Sequence, residues 1–159
     1  MGRNVSGISQ KWDLRYLDLA KHISTWSKDP STKIGSIAIG KNGQVLSQGY
    51  NGFPRGVIDS TERLKDREKK LARVVHAEMN VIYNASANGV TLKGSTLYIH
   101  GLPCCSDCAK GMIQAGIYRV VMHVQKLDGV MRWQDSWNRS KAMFDEAGVK
   151  WNLNGIKSK

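Results

Sequence analysis

Apolar positions recur along this chain in two rhythms. From Trp12 to Trp26 they fall at Trp12, Tyr16, Leu19, Ala20, Ile23 and Trp26, the three-to-four spacing that lines one side of a helix. Asp29-Pro30, within Ser27–Thr32, ends that pattern, because a proline disfavours helical geometry in the residue before it. Between Ile34 and Ile39 the period shortens to two, with Ile34, Ser36 and Ala38 against Gly35, Ile37 and Ile39. Val45–Tyr50 follows after Asn42-Gly43, and that dipeptide between two β-rich runs predicts a hairpin.

A glycine-rich loop, GYNGFPRG, runs from Gly49 to Gly56. Thr61–Arg73 is dense in both charge signs and reads as a solvated helix or helical insertion, whereas Val74–Ala87 is a more apolar, buried helix. Thr96–His100 and Tyr118–Val124 read as strands, Ser106–Gly116 and Arg132–Ala147 as helices stopped at glycine, and Val149–Leu153 as a last short strand. Helices alternating with strands after an initial hairpin pack naturally as a three-layer α/β/α sandwich. The length suits one domain over residues 1–159, with 150–159 expected as a C-terminal tail.

Composition narrows the class. A hydrophobic fraction of 41% and a charged fraction of 23% are those of an ordinary globular domain, and no apolar run reaches membrane-spanning length. Met1–Asp13 has no apolar core or small-residue cleavage site, so a cytoplasmic location is expected. The formal charge of +11 suits anionic partners, although a solvated basic surface explains it equally well, and part of it sits in the tail at Lys150, Lys157 and Lys159.

All three cysteines lie between residues 104 and 108, too close together to brace a fold, so metal or redox chemistry is indicated. His76 with the pair Cys105 and Cys108 offers one imidazole and two thiolates. Three protein ligands leave a zinc position open, the catalytic pattern, while closed structural sites use four. Taken alone, His76 could be a core histidine and the CxxC a redox pair. Glu78 favours catalysis. Within a helix, positions two apart point to nearly opposite sides, so His76 and Glu78 share a site only if the helix begins about there. Its first turn then has free N–H groups, with Ala77 small enough to let a ligand approach. Cys105 and Cys108 lie one helical turn apart, and a helix N-terminus favours the thiolate.

HAE followed by PCxxC resembles the signature of the zinc-dependent cytidine deaminase superfamily. SKDPSTKIGSIAI, GYNGFPRG, HAEMNVI and CAKGMIQAGI together resemble its deoxycytidylate deaminase family, from about Trp12 to Gly148. The resemblance implies a five-stranded mixed sheet between helices. It implies a hydrolase converting a deoxycytidine nucleotide, dCMP or also dCTP, to the uracil form as precursor for thymidylate. It also implies one Zn2+ held by His76, Cys105 and Cys108, with Glu78 as proton shuttle. Asn51 falls on a sugar-contacting asparagine, though a turn asparagine between glycines is the bland alternative, and the Ala77 N–H is placed for the base O2. Gly49, Tyr50, Asn51 and Gly52 resemble an effector-nucleotide segment. Control by dCTP and dTTP, Mg2+ with a bound triphosphate and a homohexamer are expectations of the same kind.

Two departures matter. Proline usually precedes the first ligand cysteine immediately, whereas here Cys104 stands between Pro103 and Cys105. Cys104 with Cys108 is therefore an alternative ligand pair, and keeping the two-residue spacing of the resembled motif favours Cys105. Some relatives carry a second, structural zinc near the charged insertion, but Thr61–Val75 contains no Cys or His, so one metal is expected. Candidates for holding a phosphate are Lys33, Arg55, Arg119 and Arg132. Two rival readings remain. A deaminase acting on bases in nucleic acid fits the charge, but no aromatic-interleaved basic platform for a strand is present. A zinc-stabilised binding module without catalysis has no use for Glu78.

Overall fold

The computed structural model describes residues 10–125 and 130–159. Most of the N-terminal stretch read for a leader lies outside the described residues. Twelve elements follow in order. Helix α1 (Lys11–Ser24) leads into strands β1 (Gly35–Ile39) and β2 (Val45–Tyr50), then the short helices α2 (Thr61–Lys65) and α3 (Arg67–Leu71) and the helix α4 (Ala77–Ala87). Strand β3 (Thr96–His100), α5 (Ser106–Gln114), β4 (Arg119–His123), α6 (Val130–Ala147), β5 (Lys150–Leu153) and β6 (Ile156–Lys157) complete the chain. The sheet runs β2-β1-β3-β4-β5-β6, parallel between β3, β4 and β5 and antiparallel elsewhere.

Alternation along the strands builds the two cores. Leu97, Ile99, Val120 and Met122 face one side, against Val81 and Ala85 of α4, Met112 of α5 and Phe144 of α6. Ile37, Ile39, Tyr98 and Val121 face the other, against Leu17, Ala20 and Ile23 of α1. The expected three layers are present. All of β1 is buried, because helices cover both of its faces. On the α1 side, buried Asp13 pairs with Arg119 and accepts a 2.7 Å hydrogen bond from the Tyr98 hydroxyl, tying the helix to β3 and β4.

The sheet has six strands where five were expected, and residues 150–157 form its edge hairpin in place of a tail. Asn154 (φ 49°) and Gly155 (φ 91°) make the tight two-residue turn between β5 and β6, both left-handed as a type I′ turn requires. The Asn42-Gly43 hairpin is also present, but only Gly43 has positive φ and the loop is longer. The charged stretch from Thr61 is two short helices, since Asp66 (ψ 112°) breaks the first and caps the second by accepting from the Lys69 N–H. No helix among the described residues is long and apolar enough to cross a membrane.

Close backbone approach sets the spacing of the layers. A Cβ at Gly35 would lie 2.0 Å from the Ala20 carbonyl oxygen and 2.5 Å from the Ser24 nitrogen, so α1 sits directly on this glycine. Gly35→Ala forces the helix off the sheet and is expected to cost about 3 kcal/mol, the upper part of the overpacking range. Denaturant unfolding checks this, and an unchanged midpoint would contradict the packing described.

Candidate active site

The segment entering α4 is pinned before the helix begins. Gly52 and Val75 exchange backbone hydrogen bonds of 3.1 and 2.7 Å, and His76 follows in extended geometry (φ −68°, ψ 152°) as the residue before the first helical turn. His76 therefore escapes the helical spacing that would point it away from Glu78, which lies inside the first turn. The apolar period continues back to Val74, but the helix starts only at Ala77. Gly49 permits this placement, because a Cβ there would meet the Ala77 carbonyl oxygen at 2.6 Å and the Val81 nitrogen at 2.7 Å. Asn80 and Asn84 donate to the carbonyls of Tyr50 and Gln48, holding α4 along β2.

Helix α5 begins in the same way. Cys105 precedes it in extended geometry (φ −74°, ψ 161°), and its sulfur accepts from the Cys108 N–H at 3.4 Å. Ser140 of α6 donates to the Cys104 carbonyl at 2.8 Å, and the Ser106 N–H donates to Ser136 at 2.9 Å. Two helix N-termini thus meet at the ends of β2 and β3, and their positive ends favour anionic side chains between them.

His76 Nδ1 lies 3.4 Å from Cys105 Sγ and 3.3 Å from Cys108 Sγ, and the three donor atoms fall within 4.8 Å of one another. Bond lengths to tetrahedral zinc place a nitrogen and a sulfur ligand about 3.5 Å apart, so the trio fits that ion with a fourth position open. Cys104 is elsewhere: fully buried, with its sulfur 3.3 Å from that of Met112 in the core, where burial pushes its thiol well up. Among the described residues, Cys105 and Cys108 are the ones that join His76.

Without metal these groups share protons. Hydrogen bonds from Cys108 and His76 hold the Cys105 thiol down at about 4 despite burial, and Cys108, donating to Cys105 and buried, is pushed up. The same thiolate raises His76 to about 9, against the opposing effect of burial. Glu78, 3% exposed, is pushed above the usual carboxyl range by burial, with the His76 charge opposing. A carboxyl poised to hold or release a proton suits acid–base work.

A cavity of about 210 Å³ opens on His76, Glu78 and Cys105. Asn51 also lines it, with Oδ1 accepting from the Ile34 N–H at 2.9 Å and Nδ2 donating to the Thr32 carbonyl at 2.8 Å. It clamps the strand that enters β1 and keeps one amide hydrogen and one lone pair free of these bonds. Ala77 is fully buried at the start of α4. Of the phosphate candidates, Arg132 lines the cavity. Lys33 donates to the Ser27 carbonyl, Arg55 to Asn84, and Arg119 serves the Asp13 network. Sequence reasoning missed Arg67 and Lys70, which line the cavity from α3. Their mixed-charge setting looked solvated, and only an i,i+3 pair of cations signalled a shared face.

A family model of the cytidine and deoxycytidylate deaminase zinc-binding region matches residues 10–124. The chain belongs to this family. It is 38% identical over 140 residues to an uncharacterised deaminase of Aliivibrio fischeri, covering 88% of this chain and 91% of that one. It is 31% identical over 144 residues to human deoxycytidylate deaminase, covering 87% and 77%. Among solved structures, dCMP deaminase of the cyanophage S-TIM5 in apo form aligns with a TM-score of 0.65 at 26% identity, over 92% of this chain and 99% of the other.

The deaminase's metal affinity should follow this geometry. Elemental analysis is expected to find about one zinc per chain. Cys105→Ala should lose it, while Cys104→Ala should keep it and lose only core packing. Zinc must displace protons from His76 and Cys108, so its apparent affinity should rise with pH through about 9, the value to which His76 is raised, and beyond it, since the Cys108 thiol is pushed higher. Competition with a chromogenic chelator across pH measures this, and a flat profile would contradict the proton-sharing described.

Proposed function

We propose that this deaminase hydrolyses the exocyclic amine of dCMP, giving dUMP and ammonia and so feeding thymidylate synthesis. The observation that carries the reading is Glu78: a buried acid–base group beside a three-donor cluster, in a cavity that it shares with His76 and Cys105. A structural zinc site has no need of that carboxyl.

His76, Cys105 and Cys108 would hold zinc, which when bound supplies the Lewis acidity that activates water at neutral pH. Glu78 accepts a proton from the attacking water as oxygen adds to C4, and delivers it to ring N3. It then carries a proton to the amine, and ammonia leaves as the C4 carbonyl forms. The Ala77 N–H, at the start of α4, holds the base O2. Asn51 uses its remaining amide hydrogen or lone pair on the deoxyribose while its other bonds keep the cavity wall in place.

The same reading extends to assembly and control as a cytoplasmic homohexamer, with dCTP activating and dTTP inhibiting. A groove of about 690 Å³ lined by Gly49, Tyr50, Gly52, Phe53 and Arg55 supports placing an effector triphosphate, with Mg2+, at that segment. Differential affinity for two states is what such control requires.

Glu78→Gln keeps the shape of the side chain but cannot move a proton. The variant should fold, retain zinc and lose at least about 10²–10⁴-fold in turnover, measured as ammonia release from dCMP. Activity within a few-fold of wild type would sink the assigned role. A panel of dCMP, dCTP, CMP, deoxycytidine and oligo-dC tests the substrate class. The nucleotide reading fails if deoxycytidine matches dCMP or if oligo-dC outperforms both.

A further inference from the structure

Arg67, Lys70 and Leu71 are three and four residues apart, the spacing of one helical face, and all three line the cavity that holds His76, Glu78 and Cys105. Lys69, outside that set, pairs with Glu62 on the outer side. The insertion is well anchored for so polar a segment. Ser60 and Asp66 accept the N–H groups of Arg63 and Lys69, and Lys70 Nζ reaches Asp29 at 3.2 Å and Ser31 Oγ at 2.8 Å.

These anchors divide the cavity's cations into two kinds. Asp29 is buried, and accepts from the Ser31 N–H at 2.9 Å, the Ser31 hydroxyl at 3.0 Å and the Thr32 N–H at 3.0 Å as well as from Lys70. The charge of Lys70 is therefore offset where it stands, and its task is to fasten α3 to the segment entering β1. Arg67 of α3 and Arg132 of α6 also line the cavity, and neither forms an ion pair with any carboxylate among the described residues. Two cationic residues lining one cavity give it a positive potential that favours an anion there.

We infer that Arg67 and Arg132 grip the 5′-phosphate of the substrate, with Lys70 as the positioning residue that holds α3 against the site. The inference rests on the nucleotide-deaminase reading above. It makes the charged insertion the device that distinguishes a nucleotide from a nucleoside. Guanidinium suits the role, since its planar fork bonds a phosphate in two-pronged fashion.

The test compares the zinc-loaded wild type with Arg67→Gln, Arg132→Gln and the outer-face control Lys69→Gln, which removes the same unit of charge. Each is assayed for kcat/KM on dCMP and on deoxycytidine, and for calorimetric binding of dUMP and deoxyuridine. Arg67→Gln and Arg132→Gln should each lower kcat/KM for dCMP at least about tenfold more than for deoxycytidine, the loss of one charge-assisted contact. Binding of dUMP should weaken by a similar factor relative to deoxyuridine. Lys69→Gln should stay within about twofold of wild type on dCMP. Equal losses on nucleotide and nucleoside, or a Lys69→Gln effect as large as that of Arg67→Gln, overturn the inference while leaving the deaminase reading intact. A zinc-loaded wild type that releases no ammonia from dCMP overturns both.

Discussion

Three candidate ligating atoms from two segments 29 residues apart converge within 4.8 Å, and most of the fold serves that convergence. The demand is geometric. Zinc fixes ligand separations to a few tenths of an ångström, so the starts of α4 and α5 cannot drift. Each helix therefore begins from a pinned residue in extended geometry, His76 or Cys105, with its first turn aimed at the site. The glycines follow from the same demand. Gly49 lets α4 lie on β2, and a Cβ at Gly111 would meet the Met79 sulfur at 2.9 Å where α5 meets α4. Ser136 and Ser140 tie the cysteine loop to α6, so a third helix braces the second ligand segment.

Electrostatics is organised around this point, and bulk charge is a poor guide to it. A formal charge of +11 invites a search for basic residues. Yet Arg119 is committed to Asp13 and Tyr98 on the far side of the sheet, Lys33 to a backbone carbonyl and Lys28 to Asp59. At the site itself, burial raises Glu78 while His76 and Cys108 hold Cys105 as the thiolate. The same low-dielectric setting that makes these groups costly to leave unpaired also shifts their proton affinities, as acid–base and metal sites require.

Much of the fold could be read from short-range pattern. The alternation of Ile37 and Ile39 against Ala38, the period of α1, and glycine at the ends of α5 and α6 each follow from local chemistry, and the structure shows the corresponding elements. The edge hairpin at Asn154-Gly155 was written in the same dipeptide that signalled the first hairpin, but its two-residue final strand is too short to show a period. The break at Asp66 was less legible, because a charged helix looks alike whether it is one piece or two.

By itself the sequence singled out the candidate reacting groups: His76, Glu78 and the cysteine pair are named by residue type and spacing, since metal ligation and proton transfer demand particular atoms. Only tertiary structure separates Cys104 from Cys105. Both sit before the same helix, and only packing against Met112 buries one sulfur while the other turns to His76. It also decided which cations matter. Arg67 and Lys70 reach the cavity only because α3 folds back over the segment entering β1, a contact across 41 residues for Lys70 and Asp29. Local pattern encodes which face a residue takes on its own element; which cavity that face closes depends on long-range packing that no short window contains.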